Sequence, residues 1–186
     1  MSGSEAGEPQ FDEAVEGKET IYEGRIVKLY LETVRLPNGA AAQREVIRHP
    51  GAVAMVPVDD EKRVTLVRQF RLPAERHLLE VPAGTLEPGE DPLACAEREL
   101  QEEVGLFPNK LESLGGIFVA PGYSSEYIHL YLATDLRPSK REGDDDEFLE
   151  VRSLPLDEAL ALIDSGEIED GKTITALLLA ARRLGG

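Results

Sequence analysis

The chain has 186 residues, 41% of them hydrophobic, which is enough to bury one core and predicts a single main domain. Its formal net charge of −16 disfavours binding to the phosphate backbone of nucleic acids, whereas small phosphorylated molecules held through a metal ion fit it better. No apolar run approaches membrane-spanning length, and the N-terminal sequence MSGSEAGEPQ lacks the features of a signal peptide. We therefore expect a cytoplasmic protein with no nucleic-acid or membrane partner.

The first part of the chain predicts a flexible tail followed by a small antiparallel sheet. Residues 1–18 are rich in Glu, Gly and Ser, and order is expected to begin near Thr20. Apolar and polar residues then alternate in TIYEGRIVKLYLETVRL, a turn follows at Pro37-Asn38-Gly39, and AQREVIRH continues as a paired strand. Residues 19–50 are thus predicted to form a β meander.

The remaining residues, 51–186, predict an α/β domain. Strands are expected in the segments GAVAMVPV, RVTLVRQF and LLEVPAG before a helix, and in LESLGGIFVA, EYIHLYLATDL and FLEVRSL after it. Two further helices are predicted, from Leu156 to Asp164 and from Lys172 to Arg183. Strands on both sides of a central helix, with helices afterwards, favour an α/β/α sandwich around a mixed sheet.

The central helix is bounded at both ends by its own sequence. Asp91 or Glu90 can cap its N-terminus, and Gly105 lies where a left-handed residue commonly ends a helix. One face carries an apolar stripe expected to pack on the sheet, formed by Leu93, Ala96, Leu100 and Val104. Cys95, the only cysteine, is expected to be a buried small side chain rather than a nucleophile.

Three carboxylates on this helix indicate a divalent metal site. Glu99, Glu102 and Glu103 are spaced i, i+3 and i+4, so they fall within an arc of roughly 100° on one helix face. Like charges at this spacing repel, and a bound Mg²⁺ or Mn²⁺ would remove the conflict. Because these cations bind carboxylate oxygens and are often completed by substrate phosphates, the cluster favours phosphate-anhydride chemistry.

The same segment resembles the Nudix box at every defined position. Gly84 is followed after five residues by Glu90, and after seven more by the run RELQEEVGL from Arg98 to Leu106. The resemblance implies a Nudix-fold hydrolase that uses Mg²⁺, with Mn²⁺ as a possible substitute. It also implies roles for the box residues: metal ligation by Glu99, Glu103, the Ala83 carbonyl and Glu102, with Arg98 orienting a carboxylate and Glu102, Glu103 and Arg98 counted as catalytic.

Segments outside the box are similar to the ADP-ribose pyrophosphatase branch of that family. VRQFR and LLEVPAGTLEPGED both match it closely, and Pro121, fifteen positions after Leu106, is associated there with ADP-ribose specificity. Tyr123 is associated instead with hydrolases of dinucleoside polyphosphates. The resemblance therefore implies cleavage of ADP-ribose to AMP and ribose 5-phosphate, and it leaves dinucleoside polyphosphates, GDP-mannose and other ADP-sugars as alternatives. A non-catalytic ADP-ribose sensor is less favoured because the box is intact.

Residues that would hold the substrate and the general base are less sharply indicated. The candidates for binding the substrate are Arg44, Arg48, Arg68, Arg71, Tyr123 and Glu126. For the base, the acidic segment EGDDDEFLE favours Glu147, which directly precedes an apolar strand, with Glu126 as a second candidate; a solvated turn is the alternative interpretation of that segment. The branch also implies a homodimer that exchanges the N-terminal sheet.

Overall fold

The computed structural model describes residues 11–142 and 148–185, and these fall into two compact units. The first unit contains residues 11–49 and 120–125, and the second contains residues 50–119, 126–142 and 148–185. Each unit forms its own β-sheet structure. In the described ranges, no helix is long and apolar enough to cross a membrane.

The first unit is an antiparallel sheet, as predicted. Its strands follow one another in space in the order β1 (Ala14–Glu23), β2 (Lys28–Arg35) and β3 (Ala41–Arg48). The predicted turn lies between β2 and β3, where Gly39 has a φ of 85°, a left-handed angle that suits glycine. Residues 120–125 attach to the end of β3, because the Ile47 N–H donates to the Tyr123 carbonyl at 2.7 Å.

The first strand begins earlier than the sequence suggested. β1 starts at Ala14, inside residues 1–18 that were predicted to be a tail; residues 1–10 lie outside the described ranges. Almost all of β1 is exposed, so its sequence shows no alternation between buried and polar positions. Its order comes from backbone pairing with β2, for example Ala14 with Arg35, which residue periodicity cannot reveal.

The second unit is built from seven strands and three helices. The strands are β4 (Ala52–Pro57), β5 (Arg63–Arg71), β6 (Arg76–Glu80), β7 (Ala83–Thr85), β8 (Leu106–Phe118), β9 (Tyr127–Pro138) and β10 (Glu150–Pro155). The helices are α1 (Pro92–Glu103), α2 (Leu156–Ser165) and α3 (Gly171–Arg183). One sheet has the order β7-β4-β9-β8 and is mixed, since β4 runs parallel to β9 while the outer pairs are antiparallel; the other has the order β10-β5-β6.

Strand β4 separates two hydrophobic cores. Its alternate residues Val53 and Met55 pack with α1, whereas Ala54 and Val56 pack with α2 and α3 on the other side. All four side chains are fully buried, as expected for a central strand covered on both faces. The predicted α/β/α sandwich is therefore confirmed.

Two strand boundaries differ from the prediction. β8 starts at Leu106, immediately after α1, and not at Leu111. The segment LLEVPAG is divided between β6 and β7, with Val81 and Pro82 between them. Pro82 has no N–H to offer a neighbouring strand, and its carbonyl instead accepts a hydrogen bond from Met55 at 2.9 Å.

Candidate active site

Helix α1 is capped as its sequence predicted. The Asp91 carboxylate accepts hydrogen bonds from the N–H groups of Leu93 at 2.9 Å and Ala94 at 3.3 Å, and Pro92 occupies the first turn, where no backbone donor is needed. At the other end Gly105 has a φ of 68°. These two signals set the ends of the helix that carries the acidic cluster.

The buried face of α1 is rotated toward the carboxylates relative to the predicted apolar stripe. It comprises Cys95, Ala96, Glu99, Leu100 and Glu103. Leu93, at the opposite margin of that face, is 46% exposed, so its assignment to the stripe is wrong. At the other margin of this face lie Glu99 and Glu103, of which Glu103 accepts a hydrogen bond from the Ala83 N–H of β7.

Glu99 and Glu103 are enclosed by the backbone of β7. Both residues are buried, with relative exposures of 9% and 8%. The Ala83 N–H donates to the Glu103 Oε2 at 3.0 Å, and a Cβ placed on Gly84 would lie 1.9 Å from the Glu99 carboxyl carbon. The strand therefore approaches the acids more closely than any residue with a side chain would permit at position 84.

Arg98 connects the carboxylates into one cluster. It donates to both oxygens of Glu90, at 2.9 and 3.0 Å, and its Nη1 donates to Glu99 at 2.7 Å and to Glu102 at 2.9 Å. The hydrogen bonds from Arg98, opposed by burial, lower the pKa of Glu90 to about 2. In the same way Glu90, above all, raises the pKa of Arg98. The predicted repulsion among the acids is thus relieved in part by one guanidinium.

The donor set fits a hard divalent cation. Within residues 11–142 and 148–185, no group of three acidic, histidine or cysteine side chains surrounds a common metal position. Arg98 and the Ala83 N–H donate hydrogen bonds to carboxylates of the cluster. The site nevertheless offers carboxylate oxygens of the kind Mg²⁺ and Mn²⁺ prefer, and the absence of a Cβ at Gly84 gives the Glu99 carboxylate room beside β7. The metal roles of Glu99, Glu102, Glu103 and Ala83 stay predictions.

Cys95 behaves as a structural residue. Its side chain is fully buried beside Arg98, whose Nη2 lies 3.3 Å from the sulfur. Burial, followed by the neighbouring Glu90, raises the pKa of the thiol above its ordinary value, so the nucleophilic thiolate is suppressed. The expectation of a buried small side chain is confirmed.

Arg68 and Arg71 lie three residues apart in β5, so their side chains are on opposite faces of the strand. Arg71 pairs with Glu80 through two hydrogen bonds of 2.7 Å. Hydrogen bonding to Glu80 is the main cause that raises the pKa of Arg71, and the charge of Glu103 contributes, which places Arg71 within electrostatic range of the acidic cluster. Arg68 lies 3.6 Å from Glu150 and lines a cavity of about 410 Å³ with His77, Phe148, Leu149 and Glu150.

Glu80 and its partner Lys172 are the residues that sequence reasoning missed. Glu80 is fully buried and contacts Lys172 as well as Arg71. The available signal was a charged residue between Leu79 and Val81 in the otherwise apolar segment LLEVPAG. Such a residue is rarely buried unless it is paired.

The other predicted site residues lie elsewhere. In the first unit, Arg44 pairs with Glu13, with nitrogen-to-oxygen distances of 2.5 and 3.0 Å, and Arg48 pairs with the buried Glu32 at 2.9 and 3.2 Å. Tyr123 is exposed in the same unit. Glu126 is half-buried in the second unit, just before β9, and Glu147 lies outside the described residues. The substrate-binding and base roles of these residues stay predictions.

Comparison with known families and proteins agrees with this geometry. Residues 48–177 match the NUDIX domain, and residues 13–47 match the nucleoside diphosphate sugar hydrolase N-terminal domain. The two matches meet between residues 47 and 48, close to His49, where the first continuous segment of the first unit ends.

Relatives cover nearly the whole chain. The chain is 45% identical to the ADP-ribose pyrophosphatase of Bacillus subtilis, over 89% of this chain and 91% of that protein, and 44% identical to the methanol dehydrogenase activator of Bacillus methanolicus, over 90% and 91%. Its fold matches the crystal structure of an ADP compounds hydrolase with a TM-score of 0.83 and 28% identity, covering 93% of this chain and 94% of that one. With its intact box on α1 and its matched domain, the chain belongs to the Nudix hydrolase family.

Proposed function

We propose that this protein is a Mg²⁺-dependent pyrophosphohydrolase that cleaves ADP-ribose to AMP and ribose 5-phosphate. The observation that carries the proposal is the complete cluster on α1, in which Arg98 joins Glu90, Glu99 and Glu102 while Glu103 is held by the Ala83 N–H. The high identity to an ADP-ribose pyrophosphatase over most of both chains supports the substrate.

The residues of the cluster have separate tasks in this proposal. Glu99, Glu103 and the Ala83 carbonyl would hold Mg²⁺, and Glu102 would add a ligand or a water-mediated contact. The chemistry that a cation would supply there is neutralisation of pyrophosphate charge and activation of the attacking water. Arg98 keeps Glu99 and Glu102 at a fixed separation, since both accept from its Nη1. Water adds to one phosphorus, the bond from that phosphorus to the bridging oxygen breaks, and the second phosphate leaves with its ribose.

Substrate recognition extends beyond the cluster. Arg71, whose guanidinium is held by Glu80, binds a phosphate of the substrate, and Glu147 takes the proton of the attacking water, with Glu126 as the second candidate. Arg44, Arg48, Arg68 and Tyr123 contact the phosphate, ribose or base. Cytoplasmic location, homodimer formation and the use of Mn²⁺ in place of Mg²⁺ belong to the proposal as well.

A hydrolysis screen tests the proposal. Purified protein is incubated with Mg²⁺ and, separately, with ADP-ribose, GDP-mannose, UDP-glucose, diadenosine polyphosphates and oxidised nucleoside triphosphates, and the products are separated by anion-exchange chromatography. We expect the highest kcat/KM for ADP-ribose, with AMP and ribose 5-phosphate in equal amounts. A higher kcat/KM for GDP-mannose or a dinucleoside polyphosphate would show that ADP-ribose is not the preferred substrate, while the proposed pyrophosphate hydrolysis would stand. Tight ADP-ribose binding without turnover would instead indicate a sensor.

A further inference from the structure

Glu80 is a buried carboxylate with no role in the proposed chemistry. It is the last residue of β6, opposite Val67 of β5, and none of its side chain reaches solvent. Burial alone would raise the pKa of this carboxyl, but Arg71 and Lys172 outweigh that effect and the pKa lies below its ordinary value. Glu80 is therefore a buried charge held by two cations.

The contact with Arg71 fixes the orientation of the guanidinium. Nε donates to one Glu80 oxygen and Nη2 to the other, each at 2.7 Å, a two-point geometry that permits little rotation. Only one edge of the guanidinium is used. In residues 11–142 and 148–185, Nη1 makes no hydrogen bond to another residue, and 40% of the Arg71 side chain is exposed.

Behind Glu80, a ring of hydrogen bonds ties it to the start of α3. Lys172 contacts Glu80 and lies 3.0 Å from the Asp170 carboxylate. Asp170 accepts a hydrogen bond from the Thr173 hydroxyl at 2.6 Å, and that hydroxyl accepts one from the Val81 N–H at 3.0 Å. Because Val81 directly follows Glu80, the ring is closed through the backbone.

The same short segment reaches the acidic cluster. Two residues after Val81, the Ala83 N–H binds Glu103 at 3.0 Å. Arg71 is close enough for the Glu103 charge to act on its pKa, although Glu80 is the larger influence. The segment that follows Glu80, the partner of Arg71, thus leads within three residues to the backbone N–H that holds Glu103.

We propose that Glu80 is a positioning residue that holds Arg71 with its free Nη1 edge toward the substrate pyrophosphate. This inference rests on the proposed function, in which Arg71 contacts the substrate. A loose arginine loses rotamer freedom when it binds a ligand, whereas one already fixed by a buried carboxylate loses less. The expected consequence is tighter substrate binding with little change in the chemical step.

Steady-state kinetics with ADP-ribose and saturating Mg²⁺ test this role, using wild type, Arg71→Ala, Glu80→Gln and the double variant. We expect each single change to raise KM about tenfold while kcat changes by less than about threefold. The double variant should have a KM within about twofold of that of Arg71→Ala, because Glu80 acts through Arg71. Arg71→Lys keeps the charge but not the two-point contact, and its KM should match that of Arg71→Ala within about twofold.

Thr173→Val is the matched structural control. It keeps the side-chain size, removes two hydrogen bonds of the ring and leaves the Glu80–Arg71 contact in place, so we expect a lower Tm with a KM within about twofold of wild type. If the KM of Thr173→Val rises as much as that of Glu80→Gln, Glu80 acts only through stability and the inference is overturned. A wild-type KM in Glu80→Gln would also overturn it. If Glu80→Gln does not fold, Arg71→Lys takes its place, and a wild-type KM in that variant would overturn the inference.

The failure of the inference can be told from the failure of the proposed function. If wild type hydrolyses no compound in the substrate screen, both are wrong. If wild type hydrolyses ADP-ribose and Arg71→Ala raises KM, while Glu80→Gln binds ADP-ribose as wild type does, only the positioning role is wrong. Additive effects of Arg71→Ala and Glu80→Gln on KM would also overturn it.

Discussion

Gly84 and Glu99 fit together so closely that a Cβ at Gly84 would lie 2.0 Å from the Glu99 Oε1. Glu99 is buried at this point and also accepts a hydrogen bond from Arg98 at 2.7 Å. Its carboxylate can therefore keep this position only beside a residue without a side chain. A glycine in β7 and a glutamate on α1 are thus two parts of one binding position.

Gly84→Ala should displace Glu99 while leaving the fold intact. The added methyl group meets the end of a side chain that can rotate away, so we expect Tm to fall by only a few degrees. The displaced carboxylate should raise the Mg²⁺ concentration for half-maximal activity about tenfold or more. A Mg²⁺ titration of the hydrolysis rate measures this change.

Gly171→Ala provides the control for that substitution. Gly171 is the first residue of α3, and a Cβ there would meet no atom within 4 Å. Its Mg²⁺ dependence should equal that of wild type. An unchanged Mg²⁺ dependence in Gly84→Ala would show that Glu99 does not ligate the metal from its observed position.

Glu103→Gln should remove turnover and retain the fold. The glutamine carbonyl can still accept the hydrogen bond from the Ala83 N–H, but it brings no negative charge to a cation. We expect kcat to fall about a hundredfold or more at saturating Mg²⁺, with a normal circular dichroism spectrum. Glu97→Gln makes the same chemical change on the same helix, outside the cluster, and should leave kcat unaltered. Hydrolysis at the wild-type rate would refute the ligand role of Glu103.

Arg98→Lys should separate charge from geometry in the cluster. Arg98 donates to three different glutamates at once, and a single ammonium group cannot reproduce that planar arrangement. We expect kcat/KM to fall about tenfold to a hundredfold and the Mg²⁺ requirement to rise. Arg182→Lys, an exchange of the same type in the last turn of α3, is the control. If lysine supports full activity, Arg98 supplies only charge.

The box could be predicted from sequence because its signals are local. Helix spacing, the Asp91 cap and Gly105 are all encoded within a few residues of one another, and the structure shows each of them. The two-sided core was also predictable, because β4 is an uninterrupted apolar run. Local pattern and final structure agree where every partner is close in sequence.

Relationships between distant residues could not be predicted in this way. Glu80 meets Lys172, 92 positions later, and nothing in either segment identifies the other. The buried face of α1 includes Glu99 and Glu103 and leaves Leu93 exposed, and the partner of Glu103, the Ala83 N–H, lies in β7, 20 positions away in sequence. The order of β1 depends likewise on its pairing with β2. In each instance tertiary contact decided what periodicity alone left undetermined.

Glu90→Gln should make the free energy of unfolding less sensitive to low pH. In the folded protein the pKa of Glu90 is lowered to about 2, chiefly by hydrogen bonds from Arg98, whereas the ordinary value is 4.5. A carboxyl group whose pKa is lower in the folded state than in the unfolded state stabilises the fold at pH values above its unfolded pKa. That stabilisation is lost as the pH falls from about 4.5 toward 2. Urea unfolding at a series of pH values should therefore show a shallower decline for Glu90→Gln in this window, together with a loss of about 1–3 kcal/mol at pH 7. Equal slopes for variant and wild type between those pH values would contradict the assignment.

The N-terminal sheet should mediate formation of a homodimer. β1 is one of the two edge strands of the first unit's sheet, and its exposed apolar side chains include Val15, Ile21 and Tyr22. An exposed edge with apolar groups is a common site of association. We expect a dimer for wild type by sedimentation equilibrium, and a dissociation constant at least about tenfold larger for Ile21→Lys.

Thr20→Lys adds the same charge at the neighbouring position of β1 and should leave the dissociation constant within about threefold of wild type. A wild-type monomer at micromolar concentration would exclude the dimer. Hydrolysis of ADP-ribose by Ile21→Lys, measured above and below its dissociation constant, then shows whether the second subunit completes the site. If it does, kcat/KM should rise with protein concentration in this variant, because the fraction of dimer rises with concentration.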